Sequence, residues 1–244
     1  CYDKTMKTNR KRPAQHARPK AHNYENQQKA HTNFTNKRLT DIQGYNTDFS
    51  GSDFSNTSFY RSVLKYCTFD SCLFRFTDFT KTNFTQSSFK NAIFENCLFD
   101  QCVLSGCDFE NAIFTNTYAV KTEVPAPVIN ADQKKIHIDL IPALQSALSA
   151  CRNNPAIIRS KTLFVQKPAK GKKEVLSKQG RKKVQREKLE KQFSSDRPLE
   201  INRINVARLV HAFGQEKTAL ALKEAAKKMD RDFVSLSAFL PYFK

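Results

Sequence analysis

FSGSDFSNTSFYRSVLKYCTFDSCLFRFTDFTKTNF, residues 49–84, places a Phe or a Leu at every fifth position. The series Phe49, Phe54, Phe59, Leu64, Phe69, Phe74, Phe79, Phe84 runs on through Phe89, Phe94, Phe99, Leu104 and Phe109 to Phe114. Its phase reaches back through Gly44 to Leu39 and Phe34. Two residues ahead of each large residue stands a small one, as in Ser52, Thr57, Ser62, Cys67, Cys72, Thr77 and Thr82. A fixed period of this kind marks a repeat architecture. Five matches neither the 3.6 of a helix nor the 2 of a strand, so neither element could keep these residues on one face. A coil that turns a corner every five residues can. Each side then points one large and one small residue inward and three residues toward water.

The small–polar–(Phe/Leu)–x–x pattern over residues 32–119 resembles the pentapeptide-repeat family. That resemblance implies a mainly β solenoid, a right-handed quadrilateral β-helix with 20 residues per coil, followed here by an α-helical C-terminal region. The 88 residues would make about 4.4 coils, and at the usual interstrand spacing the rod would be on the order of 20 Å long. Four inner ladders are expected. They are Phe34–Phe54–Phe74–Phe94–Phe114, Leu39–Phe59–Phe79–Phe99, Leu64–Phe84–Leu104 with a gap at Gly44, and Phe49–Phe69–Phe89–Phe109. Aromatic rings each bury roughly 150–250 Å² and would make this core largely self-sufficient. Asn36, Asn56, Asn96 and Asn116 fall in one corner column, where Asn tolerates left-handed turn geometry.

Seven cysteines are present, five of them at small inward positions with no two in adjacent coils of one column. They read as packing residues and point to a reducing, cytoplasmic setting rather than to disulfides or zinc. The five histidines are scattered, and the six glycines form no phosphate-cradling loop. No catalytic constellation is visible, so neither enzyme chemistry nor a cofactor or metal site is expected. No stretch is apolar and long enough to span a membrane. Cys1 fits a processed lipoprotein or a frame whose start is Met6, and the second reading is preferred.

Charge is segregated. The chain carries 41 Lys and Arg against 23 Asp and Glu, net +18. Residues 1–31 hold +6, residues 32–119 hold −2 and residues 120–244 hold +14. The expected organisation is a disordered basic tail (1–31), the rod (32–119), a linker or cap (120–135), a short helical segment (136–165), a basic helical arm (166–192) and a small helical cap or bundle (193–244). The arm offers Lys170, Lys172, Lys173, Lys178, Arg181, Lys182, Lys183, Arg186 and Lys188 to nucleic acid or to an acidic protein. Lys223, Lys227 and Lys228 behind a helix–Gly214–helix pattern carry a weak helix-turn-helix signal.

Two features of the rod's outer surface stand out. Leu73, Ile93 and Ile113, with Leu98 and Tyr118 alongside, form an apolar stripe that should not face water. It is expected to dock a partner, a second copy in a homodimer, or preferably the chain's own C-terminal helices, since the helix at 138–151 has an apolar face needing a partner. Tyr60, Arg61, Lys65, Tyr66, Arg75 and Phe76 form an aromatic and basic cluster suited to nucleic acid or peptide. Phe76 stands where its column calls for Asn and is read as outward, so Phe76→Ala is expected to be nearly neutral. The leading function is a non-enzymatic scaffold whose basic arms bind nucleic acid or an acidic partner. The family resemblance also implies an alternative, a DNA-mimicking, topoisomerase (gyrase)-binding protein of the quinolone-resistance type. A membrane-surface adaptor or effector is a third class.

Overall fold

The computed structural model describes residues 23–124, 129–130, 136–166, 199–233 and 235–243. Residues 23–124 form a four-sided β-solenoid of parallel strands with a register of 20 residues on every side. On one side β2 (Arg38–Thr40), β4 (Ser58–Tyr60), β7 (Asp78–Thr80), β9 (Leu98–Asp100) and β11 (Tyr118–Val120) are hydrogen-bonded in turn. The next side holds β1 (Asn23–Glu25), β3 (Gln43–Tyr45) and β5 (Val63–Lys65). A third holds β6 (Leu73–Arg75), β8 (Ile93–Glu95) and β10 (Ile113–Thr115). Bridges at Asp48, Thr68, Ser88 and Asp108 close the fourth.

The ladders are those read from the period. Phe74 lies between Phe54 and Phe94 with ring centroids 5.3 and 4.8 Å apart and planes within 11°. Phe59–Phe79–Phe99 and Phe49–Phe69–Phe89–Phe109 stack in the same way. The small inward residues have a second duty. Their hydroxyls and thiols donate to the carbonyl 23 residues earlier, in the preceding coil: Ser62 to Leu39 at 2.8 Å, Thr77 to Phe54 at 2.8 Å, Cys72 to Phe49 at 3.1 Å, Cys102 to Phe79 at 3.2 Å. Interior polar groups are thus paired, which such burial requires. Every fifth residue turns its corner at positive φ, from Asn26 to Lys121. Asn suits the position, and its side chains add a rung between coils, as from Asn56 Nδ2 to Asn36 Oδ1 at 3.2 Å.

The rod begins earlier than the repeat pattern suggested. Residues 23–31, assigned above to a disordered tail, form the start of the first coil. Asn23–Glu25 pairs with Gln43–Tyr45, and the Tyr24 ring packs against Phe34 and Phe49. Tyr24 stands 20 residues before Gly44, so the phase was present but the large apolar residue was missing at Lys29. Residues 1–22 lie outside the described residues.

Beyond the rod, the chain builds one helical domain rather than separate segments. Helix α1 (Pro142–Cys151) opens with Pro at its first turn, where the missing N–H costs nothing. Helix α2 (Pro155–Ser160) is capped by Asn154, whose Oδ1 accepts from Ala156 and Ile157. Strands β12 (Phe164–Gln166) and β13 (Leu199–Ile201) pair antiparallel. Then follow α3 (Arg203–Phe213), α4 (Gln215–Lys228) and a 3₁₀ helix, Leu236–Tyr242. Gly214, at φ 77°, makes the sharp α3–α4 junction. Leu144, Ala147, Leu148, Leu209, Leu222, Ala225 and Phe239 form the buried core.

Candidate functional site

The helical domain docks on the rod at the side of β4, β7, β9 and β11 and at the corner that ends in residues 56, 76 and 96. The contact is built round Arg208 of α3, which is fully buried. Its Nη1 donates to Asp78 Oδ1 at 2.7 Å and to Asn205 Oδ1 at 2.9 Å, and its Nε donates to the Asn96 carbonyl at 2.8 Å. The other oxygen of Asp78 accepts from the backbone N–H of Leu236 at 3.2 Å, where the 3₁₀ helix starts. One carboxylate on the rod therefore holds two elements of the domain. Such a pair stabilises little as a whole, because burying both charges is costly, but removing one partner strands the other. Arg208 Nη2 and Asn96 Oδ1 are buried without a partner.

Apolar contacts flank the pair. Phe76 is 8 % exposed and packs into the helical core, its ring stacked on Phe213 at 5.6 Å; Phe213 in turn stacks on Phe243 at 4.0 Å. Phe76 sits at φ 48°, a region that disfavours bulky residues. The reading of Phe76 as an outward residue with little effect on folding is thus corrected: the corner points it out of the rod and into the domain. Tyr118 packs under Ile204 and Ala207, with Leu98 beside them, and its hydroxyl lies 3.1 Å from His211 Nδ1.

The apolar stripe is divided by this arrangement. Leu98 and Tyr118 lie beneath α3. Leu73 and Ile93 are half-buried and Ile113 is 56 % exposed on the neighbouring side. It is α3, and not the helix at 138–151, that covers Leu98 and Tyr118, and Ile113 is left facing water. The helix expected at 138–151 starts at Pro142 and packs its apolar face into the domain core beside α4. The physical reason is that α4 presents a matching apolar face, and the domain attaches through Phe76 and Arg208 instead.

The aromatic and basic cluster is likewise spread over three corners. Arg61 lies over the Tyr60 ring at 5.0 Å and pairs with Asp41 at 2.6 Å. Lys65 and Tyr66 lie at the next corner, Tyr66 half-exposed with Tyr45 5.1 Å away. Arg75 pairs with Glu95 at 2.6 Å, and Phe76 is buried. No single patch results. Lys170, Lys172, Lys173, Lys178, Arg181, Lys182, Lys183, Arg186 and Lys188 lie outside the described residues.

Arg208, Asp78 and His211 were not singled out from sequence as a site. One signal was available: Ile204 and Arg208 are four apart, which puts an arginine on the apolar face of an amphipathic helix. Asp78 carried no comparable mark. The six described cysteines are free, and burial pushes Cys72, Cys97, Cys102 and Cys151 up to about 12 and Cys67 to about 11. These are packing thiols, far from the thiolate state that nucleophiles and metal ligands need. No group of His, Cys, Asp or Glu among the described residues could hold a metal ion. No helix among them is long and apolar enough to cross a membrane.

Residues 57–96 and 79–118 match two family models, both described as pentapeptide repeats, of 8 and 9 copies. No curated protein matches the chain. Among solved structures it is similar to Rfr23, a pentapeptide repeat protein from the cyanobacterium Cyanothece 51142, at 16 % identity over 44 % of this chain and 84 % of that one, with a TM-score of 0.39. A pentapeptide repeat protein of the Arabidopsis thaliana thylakoid lumen aligns at 12 % identity over 54 % and 77 %, TM-score 0.32. QnrB1, a plasmid-mediated fluoroquinolone resistance protein, aligns at 16 % over 55 % and 97 %, TM-score 0.21.

Proposed function

From a chain whose middle is a pentapeptide-repeat solenoid, we propose a non-enzymatic scaffold that presents a basic segment to a polyanion, nucleic acid in the first place. The observation that carries this reading is where the basic run is attached. Residues 167–198 contain 12 Lys and Arg against 4 Asp and Glu. They leave the domain at Gln166 and return at Leu199, two residues paired across antiparallel strands. The domain bearing that strand pair is in turn fixed to the rod by Arg208 and Phe76. The positive charge is therefore tethered at both ends to a rigid body. Unpaired thiols in the rod suit a reducing cytoplasm.

The DNA-mimic reading has weaker support. A mimic needs unopposed carboxylates, whereas here Asp41 is paired with Arg61, Glu95 with Arg75, Asp108 and Glu110 with Lys90, and Asp78 with Arg208. The test is fluorescence anisotropy of the full chain against duplex DNA and RNA over a salt series. A second protein has the basic residues of 167–198 replaced by Gln. Affinity that falls steeply with salt and collapses in the replaced protein is the expected result. Equal binding by the two proteins, or binding by neither, removes the reading.

A further inference from the structure

The outer side of the helical domain carries an open groove of about 370 Å³ between α4 and the end of the 3₁₀ helix. Its apolar floor is made by Leu220, Tyr242 and Phe243, with Lys217 at one end and, at the other, Lys228 beside Glu224, whose carboxylate also lines the groove. The fold has no use for Leu220 in its core. Ala219, Leu222 and Ala225 already pack α4 inward, and Leu220 is 68 % exposed. Lys228 stands eleven positions after Lys217, about 16 Å along the helix axis. Lys228 is 2.8 Å from Glu224, whereas among the described residues Lys217 has no ion-pair partner. An apolar floor with one unpaired cation, Lys217, and a second, Lys228, shared with Glu224 is a poor match for bare phosphate, which would leave the floor wet, and a better match for apolar side chains flanked by a carboxylate at the Lys217 end.

We propose that this groove docks an acidic amphipathic segment of a partner protein, whose apolar side chains cover Leu220, Tyr242 and Phe243 while a carboxylate meets the unpaired Lys217. Its lining residues are other than those of the basic run at 167–198, and the proposal does not rest on the polyanion reading. It adjoins the rod's attachment: Phe243 stacks on Phe213, and Phe213 on Phe76. An occupant of the groove touches the same ring series that fixes the domain to the rod.

The experiment uses the full chain and a fluorescein-labelled synthetic helix of about 14 residues, long enough to span both lysines. Leu and Phe recur in it at intervals of three and four, and Glu fills the other positions. A second peptide has Ser in place of Leu and Phe. Leu220→Glu is the diagnostic variant, because an exposed side chain can change without unfolding the domain, and a circular dichroism melt verifies this. The expected result is that the apolar-bearing peptide binds, that Leu220→Glu weakens it about tenfold or more, and that the Ser peptide is weaker and loses clearly less to Leu220→Glu, since it loses only the charge part of the effect. Equal binding of the two peptides would show attraction by charge alone and overturn the proposal. So would peptide affinity unchanged by Leu220→Glu, or a Leu220→Glu effect on duplex DNA without one on the peptide. Loss of DNA binding on neutralising residues 167–198 reads out separately, so the two proposals fail independently.

Discussion

Inward side chains of the rod meet partners in the same coil or one coil away, and its polar rungs close over 20 or 23 residues. The helical domain closes over much longer stretches. Asn205 reaches Thr162 across 43 residues and Gln215 reaches Asp139 across 76, while Arg208 reaches Asp78 across 130 and Ser237 reaches Asn56 across 181. Loop closure makes each long contact entropically dearer. In the rod, every coil repeats the same local bargain of rings inside, hydroxyls or thiols on the preceding carbonyls and a left-handed corner. The domain depends on a few unrepeated contacts, and its hold on the rod depends on fewer still. Regions held this way open at lower free energy than a continuous ladder does.

The largest effect is expected from Phe74→Ala, which empties the centre of an aromatic column and costs about 3–5 kcal/mol. It should lower the melting of rod and domain together, because the domain stands on the rod. An unchanged melting temperature would break the description of the rod as a self-supporting stack. Arg208→Ala is expected to cost up to about 3–5 kcal/mol by stranding Asp78, and to act on the attachment alone. Hydrogen exchange should then quicken in α3 and α4 while the backbone amides of Phe69 and Phe89 stay protected. Equal loss of protection in both regions would mean that the two unfold as one. The double variant Arg208→Met, Asp78→Leu should recover much of the loss, since a buried pair can often be replaced by apolar groups.

Phe76→Ala sharpens the comparison at the corner they share. It is expected to cost about 2–4 kcal/mol, somewhat less than a column residue because the ring fills the joint rather than the stack. Phe76→Asn should be milder by about 1 kcal/mol, since Asn tolerates positive φ. A smaller effect comes from the thiols. Burial raises their pKa, so their contribution is intact below the ordinary thiol value of about 8.5 and is lost as pH climbs toward the folded values of about 11 to 12. Melting temperature should be flat up to about pH 8.5 and fall above it, and at pH 8 a thiol-specific disulfide reagent should label the native chain far more slowly than the unfolded one. Fast labelling of all six described cysteines would contradict their burial. The smallest effect is expected from Glu95→Gln. It opens an exposed pair with Arg75 on the rod and should change stability by about 0–1 kcal/mol, measured by urea denaturation.

Most of the rod was legible because its information is local and repeated. Large residues five apart, small ones two ahead and Asn at the corners each state the same geometry many times. The one misjudged coil is the first, where Lys29 and Gly44 interrupt the large-residue series although Tyr24 keeps its phase. In the C-terminal region α1, α3, α4 and the Gly214 junction were visible from periodicity, whereas α2 and the antiparallel strand pair were not. The partners of the visible helices were not legible, because an apolar face states that it must be covered and not by what. Hence α1, whose face suited the Leu73 stripe as well as α4, was assigned to the wrong one. Phe76 misled for a related reason: its position in the repeat marks it as outward, and outward from the rod is inward to the domain.

The amino-acid sequence by itself determined the solenoid, its ladders and its corner chemistry, since each follows from a period that no other element can satisfy, and the segregation of charge, which is a matter of composition along the chain. Only the tertiary structure decided which face of the rod carries the domain, that Arg208 and Asp78 join them, and which apolar surface is left open at Leu220. Those outcomes depend on shape and charge meeting across more than a hundred residues, where no local pattern constrains the pairing.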